Sequence, residues 1–262
     1  MLQKGKYLPS LGLVIFSIYL TLLLSALLSA AETMTANKEF TAAQIVEKNV
    51  AARGGLAAWR SVQTMSLSGK MEAGGQQNTQ LPFTLEMKRT RMTRLELEFQ
   101  GQTAVQVYDG TNGWKLRPFL NRREVEPYTP EELELASAQA DLDGPLVDYA
   151  AKGSKVVLEG IDQVQGHDAY KLKVTTRDGH TRRIWIDSET FLDAKIDGSP
   201  RRMDGKLRPV EIYMRDYQSV QGVKVPYVLE TVIEGVKQSH KMTIEKVAVN
   251  PPLDDSRFAK PM

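Results

Sequence analysis

The 262-residue sequence contains no cysteine. That absence excludes a disulfide framework, a thiolate metal site, a cysteine nucleophile and a lipid-modified cysteine anchor. Histidine is nearly as scarce, at three residues. His167 and His180 each follow a turn glycine and His240 opens a polar strand, so surface positions are expected for all three. There is no Gly-x-Ser-x-Gly elbow, no phosphate-binding loop, no dinucleotide glycine fingerprint and no His-Glu-x-x-His pair. No catalytic set is visible, and neither a cofactor nor a metal ion is expected. Excess charge is missing too. The formal net charge of +2 matches the two lysines of residues 1–31, which hold no acid, so the remainder is neutral. A neutral chain carries no bias toward nucleic acid, and no nucleic-acid partner is expected.

What is present begins with an address. Lys4 and Lys6 precede an apolar run from Leu11 to Leu28, followed by Ser29-Ala30-Ala31 and Glu32. A positive start, an apolar middle and a small-x-small end describe a secretory signal cut after Ala31. The run also reaches the lower limit for crossing a bilayer, so an uncut anchor is the alternative. Either way, the body of the chain is expected outside the cytoplasm. Residues 32–40 read as a polar linker. The remainder, 41–262, reads as one domain, because the composition (42% hydrophobic, 25% charged) is that of an ordinary globular chain.

The domain opens with a helix. Thr41 and Gln44 form a capping box, Ile45, Val46, Asn49 and Val50 share a face, and Gly54 or Gly55 supplies the stop. A short helical turn then delivers Trp59. From Thr64 the apolar period becomes two. Leu81, Phe83, Leu85 and Met87 alternate with polar residues or Pro82, as do Leu95, Leu97 and Phe99 with Arg94, Glu96 and Glu98. Such alternation means antiparallel strands with one apolar face. Glycines punctuate them at Gly74-Gly75 and Gly101. In VYDGTNGWKLRP (107–118), Asn112-Gly113 is expected at the centre of a type I′ hairpin, with Asp109 bonding nearby backbone. A second capping box, Thr129 to Glu132 with Pro130 at the first helical position, opens a helix that Asp143-Gly144-Pro145 ends. A further helix is expected from Pro145 to Gly153. Strands then run to the C-terminus, and Val-Gln-Gly before a strand occurs at both 164–166 and 220–222, which reads as one turn type used twice. About ten antiparallel strands result, and a sheet of that size must curl to cover its apolar face. The expected fold is mainly β, a curved sheet with helices as a lid over its concave side.

Three features could carry chemistry. Asp187, Asp193 and Asp197 cluster in IDSETFLDAKID, and two close carboxylates can serve acid/base work. Asp187-Ser188-Glu189-Thr190 is also a good turn, and turn plus solvated surface is the expected outcome. The basic segment SPRRMDGKLRP (199–209) reads as a charged hairpin tip, with a partner or lipid-headgroup contact as the alternative. Trp59, Trp114 and Trp185 either fill core or line a pocket. The residues alone give no substrate.

The order of several elements is more informative than any one of them. ARGGLAAWRSVQTMSLSGKM, VYDGTNGWKLRP, GHDAYKLKVTTRDGHTRRIWIDSETFLDAKI and the closing VNPPLDDSRFAKP together resemble the LolA-like outer-membrane lipoprotein-sorting superfamily, over residues 42–261. The resemblance implies a half-open antiparallel β-barrel with a helical lid over an apolar cavity. It implies a non-enzymatic periplasmic carrier of acyl chains, of lipoproteins or other lipids. An inner-membrane transporter and an outer-membrane acceptor are the implied partners. A lipid-sensing envelope regulator with an inner-membrane partner is the alternative, and a hydrolase using Asp187 and Asp193 a third reading. With a cavity implied, its candidate lining is Trp59, Phe83, Leu85, Leu95, Leu97, Phe99, Val107, Trp114, Leu133, Tyr149 and Trp185.

Overall fold

The computed structural model describes residues 40–72, 79–89 and 91–262. The signal or anchor, the linker up to residue 39 and the Gly74-Gly75 turn lie outside the described residues. Thr41–Met262 form one compact unit. Its elements are α1 (Ala42–Ala52), α2 (Leu56–Ser61), β1 (Thr64–Glu72), β2 (Gln80–Lys88), β3 (Met92–Phe99), β4 (Gln102–Tyr108), β5 (Gly113–Arg117) and β6 (Arg122–Pro127). After α3 (Pro130–Gln139) come β7 (Lys155–Val164), β8 (His167–Thr175), β9 (Thr181–Asp187), β10 (Asp193–Met203), β11 (Lys206–Val220), β12 (Val223–Ile233) and β13 (His240–Val249).

The strands form one sheet of thirteen, in the order β6-β5-β4-β3-β2-β1-β13-β12-β11-β10-β9-β8-β7. Two meanders meet at the antiparallel β1–β13 pair. The two edges, β6 and β7, are consecutive in sequence, so the segment containing α3 must travel from one edge to the other. A sheet this wide curls, and the crossing segment then spans its open side. The outcome is a curved, unclosed antiparallel sheet with three helices, a half-open barrel under a helical lid.

Local chemistry explains the elements. Both capping boxes form: Thr41 with Gln44 on α1, and Thr129 with Glu132 on α3, where Pro130 begins the helix. Ile45, Val46, Asn49 and Val50 are the buried face of α1. The two Val-Gln-Gly segments make the same turn, with Gln165 and Gly166 at φ 52° and 89° and Gln221 and Gly222 at 47° and 88°. Positive φ at both central residues is the type I′ signature.

Two expectations change. The 107–118 hairpin exists, but its bend lies at Asp109–Asn112, where Gly110 has φ 100°. Asp109 Oδ1 accepts from Thr111 N and Asn112 N at 2.8 and 2.6 Å. Gly113 is instead the first residue of β5, and the Tyr128 ring occupies its missing side-chain volume: a Cβ there would fall 1.9 Å from Tyr128 Cδ2. The helix expected from Pro145 to Gly153 is a series of turns. Gly144 and Asp148 at φ 77° and 53° break any helical path, while Leu146 and Val147 are still buried.

Candidate functional site

Register decides which side chains share a face. Met65, Leu67 and Met71 of β1 lie opposite Met87, Leu85 and Leu81 of β2. Phe83 and Leu85 lie opposite Leu97 and Leu95 of β3. On the other side of β1, Met71 faces Met242, which faces Leu229 of β12, which in turn faces Met214 of β11. One apolar face therefore runs unbroken across six strands. Phe83 and Leu67 are buried, but Leu85, Leu95, Leu97, Phe99, Met242, Leu229 and Met214 are only half-buried. A sealed core would have closed over them. Methionine and leucine make such a surface adaptable to flexible apolar partners.

The same face carries the helices. Leu95 is opposite Gln106, which is opposite Lys115, and Lys115 Nζ donates to both carboxylate oxygens of Glu132 on α3 at 2.5 Å. Beyond that ion pair, α3 is held by hydrogen bonds from Arg91 to Ser137 O and from Arg182 to Ala138 O, and His180 lies 3.6 Å from Glu134. No residue of α3 is buried. Its attachments reach from β5 on one side of the opening to β9 on the other and are mostly polar, through buried Lys115 and half-buried Arg182 as well as exposed Arg91 and His180. Partial burial alone would raise the Glu132 carboxyl. Hydrogen bonds from Lys115 and Thr129 N, with the nearby cationic charge, outweigh burial and place it below 4.5.

The rest of the helical layer is fastened more firmly. Asn49 Nδ2 donates to Phe191 O at 2.9 Å, and Arg53 lies 3.6 Å from buried Asp193. The Tyr217 hydroxyl donates to Asp193 O at 3.0 Å, and burial followed by the Asp193 charge keeps that phenol well above 10. Arg89 bonds Val62 O, Trp59 O and the Asp143 carboxylate, tying α2 to the segment after α3. One part of the cover is pinned through several buried groups, Asn49, Arg53, Trp59 and Asp193, whereas α3 buries none of its own residues and is met by buried Lys115.

The sequence candidates divide accordingly. Phe83, Leu85, Leu95, Leu97 and Phe99 come together on the helical face, with Phe99 edge-on to Phe119 at 5.7 Å. Leu133 on α3 and Tyr149 in the following turns are half-buried. Trp59 is 1% exposed, donates Nε1–H to Arg53 O at 3.0 Å and lies under the Arg53 guanidinium. Val107 and Trp114 point the other way. They are opposite each other and Val107 is opposite Arg94, on the outer face, where they join Val105 and Phe258 in a separate core. Trp185 is on the outer face as well, opposite Lys171 and Lys195, with Lys195 Nζ 3.8 Å from its ring centroid. Sequence reasoning missed the Met242–Leu229–Met214 half of the apolar face. The alternation in β11 to β13 was the available signal.

The aspartates have structural tasks. Asp187 Oδ1 accepts from Glu189 N, Thr190 N and Thr190 Oγ1, closing the expected turn. Asp193 is enclosed by Arg53, Asn49 and Tyr217. Asp197 accepts from Arg183 N. His167 and His180 are exposed and His240 is half-buried. Among the described residues no cluster of acidic or histidine side chains has metal-holding geometry, and no helix is long and apolar enough to cross a membrane.

No protein-family model and no curated protein matches the sequence. Solved structures match the fold. A LolA-superfamily protein from Nitrosomonas europaea superposes with a TM-score of 0.54 at 14% identity, over 84% of this chain and 98% of that one. A domain described as an outer membrane lipoprotein-sorting protein, from Vibrio parahaemolyticus, gives a TM-score of 0.55 at 11% identity, over 84% and 96%. A DUF1329 family protein from Desulfovibrio piger gives 0.54 at 13%, over 84% and 97%. Likeness at such identities is likeness of fold, and the fold of this chain is that of the LolA superfamily.

Proposed function

We propose that this protein is a non-enzymatic carrier that holds acyl chains against the helix-covered apolar face, in the periplasm, and delivers them toward the outer membrane. Lipoproteins are the favoured cargo. An inner-membrane transporter would load the carrier and an outer-membrane acceptor would empty it. The observation that carries this reading is the half-burial of Leu85, Leu95, Leu97 and Phe99 on one face. Apolar side chains left half-exposed on a concave surface gain contact when an apolar ligand arrives. A helix with no fully buried residue of its own, held mostly by polar contacts, can open at smaller cost than a packed core element, which a carrier requires.

Leu97→Glu tests the reading. On a ligand-lining face the new carboxylate reaches water when the site is empty, so the protein stays folded. Retention of lipid by the purified protein, read by native mass spectrometry without detergent, should then fall sharply. In a dry core the same change buries an unpaired charge, which costs several kcal/mol, of the order of the whole stability of a domain. An insoluble Leu97→Glu protein beside a well-behaved Glu96→Leu control would refute the carrier site.

A further inference from the structure

A second opening lies beside α3. A cleft of about 1260 Å³ runs between that helix and strands β9 to β11. Its walls carry both signs of charge, and two of its five carboxylates, Asp141 and Asp197, face a permanent cation. Asp141 meets Arg91 and Lys152 at 3.6 and 3.5 Å, Glu134 and Asp178 flank His180, and Asp197 is taken by Arg183. Three arginines of the cleft, Arg177, Arg182 and Arg202, have no carboxylate within ion-pair distance among the described residues.

Arg182 is the most telling of the three. It lies opposite Val174 on the helical face, is half-buried, and gives a single long hydrogen bond of 3.4 Å to Ala138 O. Burial draws its pKa below the ordinary guanidinium value, with Asp141 and Asp197 acting only from a distance. A guanidinium has five N–H donors in a planar fork that fits carboxylate and phosphate oxygens. Half-buried and without a carboxylate partner, Arg182 keeps donors available for an incoming anion. Gly198, also in the cleft wall, joins the two regions: a Cβ there would fall 2.7 Å from Val210 Cγ1 and 3.4 Å from Ile212 Cδ1. Val210 and Ile212 lie opposite Ile233 and Thr231 on the apolar face. The arginine cleft therefore borders the surface assigned to the acyl chain.

We propose that the cleft binds the anionic headgroup, phosphate or carboxylate, of the amphiphile whose chain lies on the apolar face, with Arg182 as first donor and Arg202 as second. The proposal rests on the carrier reading above. Arg202, on the exposed β10–β11 hairpin, spends one N–H on Gly205 O at 3.3 Å and keeps the others free.

Dodecyl phosphate and dodecyl maltoside share a chain and differ in head charge. Each is titrated calorimetrically into the full chain below its micelle concentration, with inorganic phosphate as a third probe. Dodecyl phosphate should bind roughly tenfold more tightly than dodecyl maltoside, the scale of a charge-assisted hydrogen-bond pair. Arg182→Gln and Arg202→Gln should each shrink that preference, and Arg202→Gln, which makes no contact with α3, should leave dodecyl maltoside binding unchanged. The exposed position of Arg202 keeps the test valid if Arg182→Gln fails to fold. Equal binding of both amphiphiles, unaffected by either variant, overturns the headgroup site and leaves the carrier reading standing. If neither amphiphile binds while inorganic phosphate binds in an Arg182-dependent way, the cleft takes a free anion, and both the headgroup assignment and the carrier reading fail. Binding of none of the three probes overturns both.

Discussion

Leu97 and Val107 occupy adjacent strands and point to opposite faces of the sheet: Leu97 is opposite Ala104, and Val107 is opposite Arg94. Leu97 is half-buried under the helical layer, whereas Val107 is wholly enclosed with Val105 and Phe258. Phe258 arrives with the C-terminal segment, which Lys88–Asp255 and Arg257–Glu86 ion pairs hold against the outer face at 2.6 and 2.7 Å. Around β3 and β4 the outer face is sealed by the C-terminal segment, while the helical face there stays partly open.

That division can be measured. Phe258 is 1% exposed, and Phe258→Ala should cost about 3–5 kcal/mol through lost burial and a cavity. For a domain of this size the thermal midpoint should fall by roughly 10 °C. Dodecyl maltoside affinity should not move, because the ring lies on the far face. A fold-stable Phe258→Ala protein with weakened amphiphile binding would contradict the assignment of faces.

Leu97 and Val107 also show how far the sequence could be read. Alternation in β3 and in β4 is plain from the residues, and so is the apolar face of each strand. Which faces coincide depends on the turn between them. Gln100-Gly101 is a two-residue turn with φ 49° and 73°, so Phe99 is opposite Gln102 and the odd positions of β3 meet the even positions of β4. That turn puts Val107 on the outer face, the β4–β5 pairing carries Trp114 there with it, and a Gln-Gly pair between two alternating runs was the signal for the turn. The crossing role of α3 was less legible. It follows from β6 and β7 being the two sheet edges, and that order comes from the β1–β13 pairing, a contact between the two ends of the domain that no local pattern encodes.

The attachment of α3 should loosen in acid. The folded-state pKa of Glu132 is depressed below 4.5, so the stability it contributes is present above that value and is lost as pH falls through the folded pKa. Glu132→Gln keeps an acceptor for Thr129 N but removes the charge that faces Lys115. At neutral pH, hydrogen exchange should show lower protection in α3 of this variant and unchanged protection in β8 and β9. The difference from wild type should vanish as pH drops below the Glu132 pKa. Equal α3 protection in both proteins at neutral pH would mean that the ion pair does not hold the helix.

The 107–118 hairpin ranks three substitutions. Gly113→Ala drives a methyl into the Tyr128 ring, whose backbone N–H donates to Gly113 O at 2.8 Å just before α3. Overpacking of that kind costs about 1–3 kcal/mol. Gly110→Ala places a side chain at φ 100° and should cost about 1–2 kcal/mol. Asn112→Ala loses one exposed side-chain bond of 3.3 Å to Asp109 and should stay within about 0.5 kcal/mol. Urea denaturation gives the order directly. Asn112→Ala as the most damaging of the three would restore the turn to Asn112-Gly113.

The fixed part of the cover depends on one buried pair. Arg53 is 9% exposed and Asp193 is 8% exposed, and their charges lie 3.6 Å apart. Arg53 Nε has no hydrogen-bond acceptor, so the pair acts through charge more than through a well-formed hydrogen bond. Removing either partner leaves the other buried and unpaired, at a cost of about 3–5 kcal/mol. Arg53→Met strands the Asp193 carboxylate among Asn49, Tyr217 and the carbonyl of Phe191. Asp193→Asn strands the guanidinium over Trp59. The double variant buries no net charge, and its loss should fall short of the sum of the single losses by about 1–3 kcal/mol. Additive losses in urea denaturation would show that the two residues act independently. Because Asn49 and Arg53 belong to α1 and its cap while Asp193 opens β10, each single variant should also raise exchange along α1. The amides of α3 should not respond, since that helix is fastened through Lys115, Arg91 and Arg182. A matched rise in both helices would mean that the lid opens as one body, and the separation of a pinned half from a movable half would fail.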